Sequence, residues 1–375
     1  MIKSLASLTF ITVFSTTAIL SFQPIGANTL ADRAGKINSH SLTQNYQQQA
    51  NLLAISGIQK FKQKDYSGAI ADFSKSIEIN PSFDKAFYNR AVTYGVIGNF
   101  PAAIDDYTQV IKLNPQSTNS YFNRASAKDK TGDKKGALSD LDRVIQLDPR
   151  AIDAYLNRGN LLHESGDFPA AISSFSAAIK IRPDRADLYL NRGLAKYRLA
   201  DRQGSIDDYT LAITANPNYN LAYNNRAWVK ADLDDNKGAM ADYNKSIQID
   251  RNYYISYYNR GNVRRRFGDN IGAISDYDRT IQLKPDYAAA YNNRGLAQKK
   301  IKEFKAAIND STQAIKLNPN FAEAYYNRAL ARRELKDKAG AISDFKMAAK
   351  LYQEQGSKKE AINSLNFVQQ VEQQK

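Results

Sequence analysis

The chain contains no cysteine among its 375 residues. Disulfides, thiolate metal ligands, a cysteine nucleophile and a lipidated-cysteine anchor are therefore excluded. Histidine is nearly absent: only His40 and His163 occur, far apart in the sequence. A lone histidine usually packs or sits at the surface, so neither supports acid–base chemistry. No glycine-rich phosphate loop follows a strand, and no cluster of metal-ligating residues has ligand spacing. The expectation is a chain with no catalytic residue, no metal site and no cofactor, and hence not an enzyme.

What is present is basic and moderately apolar. The formal charge is +14 and 43% of residues are apolar, enough for a sizeable core. A basic balance favours acidic partners such as protein tails, anionic lipid or nucleic acid. The plainer reading is that Lys and Arg decorate solvated helix faces. Nucleic acid is disfavoured because Asp and Glu are interspersed throughout and the N-terminus directs the chain out of the cytosol.

That N-terminus, residues 1–27, reads as a secretory signal. Lys3 supplies the charged start, Leu5 to Phe22 is an apolar run, Pro24 breaks it, and Ile25-Gly26-Ala27 offers a small-residue cleavage site. The expected location is exported, periplasmic or secreted. The alternative is an uncleaved anchor over residues 4–22, barely long enough to span a bilayer, which is the one route to membrane contact. Residues 28–49 are polar, with Gln44 and Gln47-Gln48-Gln49, and are expected to form a flexible leader.

Beyond the leader the sequence repeats. Tyr88-Asn89-Arg90-Ala91 returns as Phe122-Asn123-Arg124-Ala125, Leu156-Asn157-Arg158-Gly159 and Leu190-Asn191-Arg192-Gly193, then at Asn225-Arg226, Asn259-Arg260, Asn293-Arg294 and Asn327-Arg328. The spacing is 34 residues each time, the signature of a helical repeat array. Each repeat reads as two helices. Gly98, Gly132, Gly166 and Gly268 stop the first in a left-handed conformation. Asn99, Asp133, Asp167, Asp201, Asp235, Asp269 and Asp337 are placed to cap the second. Pro101 and Pro169 fall at its first turn, and a recurring proline from Pro81 to Pro319 follows its end. Small residues such as Ala91, Gly159 and Gly261 face bulky ones such as Tyr107, Phe175 and Tyr277, the small-against-large pattern by which helix ridges interlock.

These motifs resemble the tetratricopeptide repeat family over residues 50–355, as nine repeats. The resemblance implies an all-α fold, a right-handed superhelical α-solenoid of 34-residue helix-turn-helix repeats. Residues 356–375 follow, with an amphipathic segment carrying Ala361, Ile362, Leu365, Phe367 and Val368, expected to cap the open end. Two departures stand out. Arg251 replaces the proline of the sixth repeat, expected to loosen that junction. Ile55-Ser56 replaces Asn-Arg in the first, which marks an N-terminal cap.

The resemblance also places candidate binding residues. Asn89, Asn123, Asn157, Asn191, Asn225, Asn259, Asn293 and Asn327 would line the inner wall of the superhelix. A carboxamide both donates and accepts, so it can pair with an extended peptide backbone whatever its side chains. The row is similar to the asparagine ladder of the repeat domain in glycosyltransferases that add N-acetylglucosamine to proteins, whose catalytic half is absent here. Alternatively, each Asn satisfies a neighbouring helix backbone. Each following Arg, from Arg90 to Arg328, faces one Asp per second helix, from Asp72 to Asp344, as a ladder of structural ion pairs that Ser174 interrupts. Tyr88, Phe122, Tyr258 and Tyr326, with Asn160, Asn262 and Trp228 one turn along, would set specificity. Arg265, Lys299 and Arg333 share one face and suggest an acidic or carboxylate-bearing partner, a partial match to the carboxylate clamp of chaperone-binding members. A solvated basic face is the competing reading.

The expected function is a non-enzymatic scaffold that binds an extended peptide or partner protein during envelope or complex assembly. The Tyr-Asn-Arg-Gly style of repeat is similar to that of cyanobacterial proteins. In length, export segment and repeat number the chain is also similar to exported repeat factors that assist photosystem II assembly. A third reading is a substrate-recruiting subunit for an enzyme encoded elsewhere.

Overall fold

The computed structural model describes residues 39–373, which form helices joined by short turns. The expected signal, its cleavage site and the possible anchor lie outside the described residues. No helix among those residues is long and apolar enough to cross a membrane.

The chain divides into two compact units, Met1–Asp184 and Arg185–Lys375. The first holds α1 (Ser39–Lys62), α2 (Tyr66–Ile79), α3 (Asp84–Val96), α4 (Phe100–Leu113), α5 (Thr118–Lys130), α6 (Lys134–Leu147), α7 (Ile152–Glu164) and α8 (Phe168–Ile181). The second holds α9 (Ala186–Arg198), α10 (Arg202–Ala215), α11 (Asn220–Asp232), α12 (Asn236–Ile249), α13 (Tyr254–Arg266), α14 (Asn270–Leu283), α15 (Ala288–Lys300), α16 (Phe304–Leu317), α17 (Ala322–Glu334), α18 (Lys338–Glu354) and α19 (Lys358–Gln373). In each unit an odd helix pairs with the following even helix, and that even helix packs on the next odd one.

Local chemistry sets these boundaries. Asp65, Asn99, Asp133, Asp167, Asp201, Asp235, Asp269 and Asp337 each accept a hydrogen bond from the backbone N–H three residues on. Such a cap is worth about 1 kcal/mol. Glu303 holds the equivalent place before α16 and makes no side-chain cap bond. The preceding turn needs a left-handed residue, supplied by Gly98, Gly132, Gly166 and Gly268 at φ 80–86°. Lys64, Ala200, Asp234, Lys302 and Lys336 take the same conformation at φ 62–67°, so packing imposes the turn where glycine is missing.

The core is small against large. A Cβ on Gly159 would come within 2.5 Å of the Phe175 ring, and one on Gly261 within 2.9 Å of Tyr277. The rings of Tyr209, Tyr243 and Tyr277 are fully buried, worth roughly 2–3 kcal/mol each in water-to-core transfer. The α15–α16 pair differs. Ser311 stands where the other pairs carry a ring or leucine, and its buried hydroxyl has no partner.

Arginine stitches the stack together. In α3, α5, α9, α11, α13, α15 and α17 the Arg guanidinium grips the Asp of the following helix at 2.5–2.8 Å. Those carboxylates are buried, and Lys128, Lys196, Lys230, Arg264 and Arg332 approach five of them at 2.8–3.0 Å. A further nitrogen of Arg90, Arg124, Arg226, Arg260, Arg294 and Arg328 reaches back to the preceding even helix, to Ser74, Thr108, Thr210, Asn244, Asp278 and Thr312. One side chain thus joins three helices. Arg158 meets Ser174 and Asp142 instead, so the ladder is broken where the sequence indicated.

Three local expectations need correction. The leader expected over 28–49 is helical from Ser39, continuous with α1, and Ala50 is already core. The Arg251 junction keeps its turn: Asp250 Oδ1 accepts from Asn252 N at 2.9 Å, the bond that proline-bearing junctions also make. In α19, Ala361 and Val368 are buried as expected, but Ile362 and Leu365 are exposed, and Ser364 and Val371 are buried in their stead. Phe367 stacks on Phe345 at 5.2 Å, so α19 closes this end through a ring.

Candidate functional site

The odd helices carry one stripe of interest. In α13, Tyr258, Asn259, Asn262 and Arg265 recur at helical spacing and so share a face. The same face of α15 carries Asn292, Asn293 and Lys299, and that of α17 carries Tyr326, Asn327 and Arg333. All eighteen residues singled out from the sequence are described. Tyr88, Asn89, Phe122, Asn123, Asn157 and Asn160 lie on α3, α5 and α7 of the first unit, and Asn191, Asn225, Trp228 and the remainder in the second. Each is half-buried.

The asparagine row is not uniform. Asn123 Nδ2 donates to Tyr88 Oη at 3.1 Å, and Asn293 Nδ2 to Tyr258 Oη at 3.0 Å. Asn259 Nδ2 donates to Asn224 Oδ1 at 3.3 Å, and Asn327 Nδ2 to Asn292 Oδ1 at 2.9 Å. Each acceptor lies 35 residues earlier, on the preceding odd helix. The partners are side chains, not the helix backbone the sequence suggested. Where that earlier position is apolar, the bond cannot form. Asn157 follows Phe122, and Asn225 follows Leu190. The Asn225 Nδ2 is buried and has no partner.

In the second unit these bonds merge into a network. Asn224 Oδ1 also accepts from Ser256 at 3.2 Å, while Asn224 Nδ2 donates to Asn225 Oδ1 at 3.1 Å. Asn262 Oδ1 accepts from Tyr277 Oη at 2.8 Å and from Asn293 Nδ2 at 2.9 Å. Asn292 Nδ2 donates to Asn293 Oδ1 at 3.2 Å. Asn224 and Asn292 were missed in the sequence. Their signal is the doublets Asn224-Asn225 and Asn292-Asn293, where other repeats place Tyr, Phe or Leu before Asn.

The aromatic residues serve the fold and leave limited surface. Tyr88 packs on Tyr107 at 5.8 Å, and Tyr258 lies between Tyr277 and Tyr287. Phe122 packs on the cluster around Ala125 and Leu141. Tyr326 contacts Phe345 and Phe367. Trp228 leans on Tyr197 at 4.6 Å, with the Arg202 guanidinium over the Tyr197 ring at 4.1 Å. Burial raises the phenol pKa of Tyr88 and Tyr258, so both stay neutral donors or acceptors.

The three bases on this face differ from the ladder. Among the described residues, Arg265 and Lys299 have no carboxylate within ion-pair distance, and Arg265 Nε is buried without a partner. Arg333 pairs with Glu334 at 3.4 Å and lies over Phe367 at 5.1 Å. Burial, then the nearby charges of Lys300 and Arg333, push the Lys299 ammonium down to about 8, with Glu334 opposing the shift. His163 contacts the Phe168 ring edge-on at 5.2 Å. Among the described residues no group of three His, Asp or Glu is arranged to hold a metal ion.

Comparison with known proteins agrees with this architecture. Family profiles described as tetratricopeptide repeat match residues 84–117, 118–150, 221–253 and 300–356, and one described as TPR repeat matches residues 159–199. The chain carries tetratricopeptide repeats. No catalytic family is indicated among these matches. None of the curated proteins matches the chain. Among solved structures, a tetratricopeptide repeat protein from Parabacteroides merdae is similar at 17% identity and a TM-score of 0.54, over 67% of this chain and 99% of that one. The C-terminal part of a repeat protein from Cytophaga hutchinsonii is similar at 19% identity and a TM-score of 0.55, over 64% and 98% of the two chains.

Proposed function

We propose that the stripe on the odd helices of the second unit binds an extended, acidic peptide segment of a partner protein, and that the chain is a non-enzymatic scaffold. A tetratricopeptide fold is typical of protein–protein interaction scaffolds. One observation carries the acidic part: the half-buried cations of the ladder each meet a carboxylate of the fold, whereas Arg265 and Lys299 meet none among the described residues. Desolvated cations without counter-charge cost stability, and an incoming carboxylate would offset that cost. The carboxamide oxygens of Asn259 and Asn327 remain as acceptors for a peptide N–H, since only their nitrogens are engaged within the fold.

Export belongs to the same proposal. The scaffold would work in the envelope, assembling or holding a complex there. Fractionation of a C-terminally tagged full chain tests the location, and recovery in the cytosol would remove that part.

Binding is tested with a fluorescein-labelled Asp/Glu-rich peptide and a Lys-rich control. The full chain should bind the acidic peptide with an affinity that falls as salt rises. Replacing Arg265, Lys299 and Arg333 together with Ser should weaken binding and flatten the salt slope. An unchanged slope in a folded triple variant would refute the acidic ligand.

A further inference from the structure

Two positions on the odd helices look back toward the repeat before. One runs from Ala86 to Ala324 in steps of 34, and all eight residues there are at most 1% exposed. Ala86, for example, packs among Ala50, Ala54, Ala69 and Phe73 of the first repeat. The other is the asparagine position, from which Asn123 reaches Tyr88 on the preceding odd helix. In α1 these two positions hold Leu52 and Ile55, 61% and 38% exposed. No described helix precedes them. A terminal repeat ordinarily turns a polar face to water. Here the backward face keeps two branched apolar side chains. It is also free of charge: from Ser39 to Gln59 the sequence has no Asp, Glu, Lys or Arg, in a chain that is 24% charged.

We infer that α1 is a self-association surface, pairing antiparallel with α1 of a second copy of this chain across a two-fold axis, Leu52 of each against Ile55 of the other. The order of residues favours this partner. Gln48, Leu52, Ile55 and Gln59 follow one another at helical spacing and so share a line along α1. Their spacing is the same read in either direction. Antiparallel pairing therefore sets Leu52 against Ile55 and Gln48 against Gln59, twice over, as a two-fold interface requires. Gln48 and Gln59 are exposed, and their carboxamides can each donate and accept across the pair. Interface cores are depleted in charge. Chains of net charge +14 repel one another, so an uncharged face is where two copies can meet. The rival is head-to-tail stacking of α1 on α19, where Ile362 and Leu365 are exposed. It is disfavoured by Lys358 and Lys359, which open α19 and would lie beside that contact. This inference does not rest on the peptide-binding reading; a paired chain would carry two binding stripes in place of one.

Sedimentation equilibrium of the full chain over about 1–100 μM should show a mass rising from one chain to two and no further. Leu52→Glu should weaken pairing by at least about tenfold, since a buried leucine contact is lost and a charge is placed in the interface. Its melting temperature, measured in dilute solution where the chain is single, should be unchanged because Leu52 is exposed. The register is tested by cross-linking. The chain has no cysteine, so Gln48→Cys and Gln59→Cys each introduce a single thiol. With a short bis-maleimide, a mixture of the two variants should give cross-linked dimers in at least about tenfold greater yield than either alone. A single-chain mass at every concentration overturns the pairing, and so does a dimer that survives Leu52→Glu. A mass that grows beyond two chains and is lost on Leu365→Glu establishes the head-to-tail rival instead. A single chain destabilised by Leu52→Glu would mean that residues before Ser39 cover the face, which also overturns it. Cross-linking of Gln48→Cys with itself as readily as with Gln59→Cys overturns the antiparallel register.

Discussion

The arginine row and the asparagine row are neighbours along the same helices, one residue apart, and each returns every 34 residues. They are wired differently. Seven arginines meet an Asp 16 residues later, in nearly the same bidentate geometry. The asparagines meet whatever stands 35 residues earlier, and that is Ala, Tyr, Phe, Leu or Asn by turns. Identical residues therefore have identical roles only where the partner position repeats too. The arginine row is architecture. The asparagine row is bound into the fold through its nitrogen at Asn123, Asn259, Asn293 and Asn327, whereas the nitrogen of Asn225 is buried without a partner.

The sharpest way to break this comparison is within the arginine row itself. Among the described residues Asp310 is approached by Arg294 alone, because Gln298 stands where five other repeats carry a second base. Arg294→Ala should strand a buried carboxylate and cost about 3–5 kcal/mol. Arg158→Ala should cost only about 1 kcal/mol, since its partner within the pair is the Ser174 hydroxyl. Urea unfolding measures both, with hydrogen exchange locating the loss, because repeat arrays unfold in parts. Equal losses would mean that the ladder is not what holds the pairs together.

The next largest effect belongs to the asparagine network. Asn224→Leu removes the acceptor for Ser256 and Asn259 together and the donor to Asn225, and should cost about 2 kcal/mol. Asn225→Leu should cost less, because it also deletes a donor that has no partner. A reversed order in urea midpoints would mean that the Asn225 nitrogen has an acceptor after all.

Much of this was legible in the sequence because the repeat states it many times. The helix pairs, the Asp caps, the left-handed Gly98 and the Arg–Asp ladder each follow from a residue type at a fixed offset. The wiring of the asparagines was harder to read, because it depends on a pair of positions 35 residues apart that vary independently. The reach of Arg90 to Ser74 and of Arg294 to Asp278 was missed for a related reason: Ser, Thr, Asn and Asp all serve as that acceptor, so no single letter recurs. The helical start at Ser39 was hidden by polar residues that read as a leader, although only one side of that helix has to meet α2.

A smaller effect is expected at Ser311, where the row of rings is interrupted. Its buried hydroxyl has no partner, so Ser311→Ala should stabilise the second unit by about 1 kcal/mol. Thermal unfolding would show a raised midpoint; a lowered one would mean that the hydroxyl has an acceptor after all.

Lys299 gives the finest test of the comparison, because it asks whether a cation outside the ladder behaves differently from those within it. Its ammonium is lowered from 10.5 to about 8 by burial and by Lys300 and Arg333. Between those two values the unfolded chain holds a proton that the folded chain has released. The stability contributed at this site is therefore lowest below about pH 8 and rises with pH toward 10.5. Lys299→Met should remove that rise, seen as a smaller gain in melting temperature from pH 7 to about pH 9.5. An acidic ligand reverses the shift, because a carboxylate beside the ammonium favours its charged form. Binding of the Asp/Glu-rich peptide near pH 8.5 should then take up a fraction of a proton, measured by calorimetry in buffers of different ionisation heat. Binding with no proton uptake would place the carboxylates elsewhere on the stripe and leave Lys299 to the fold.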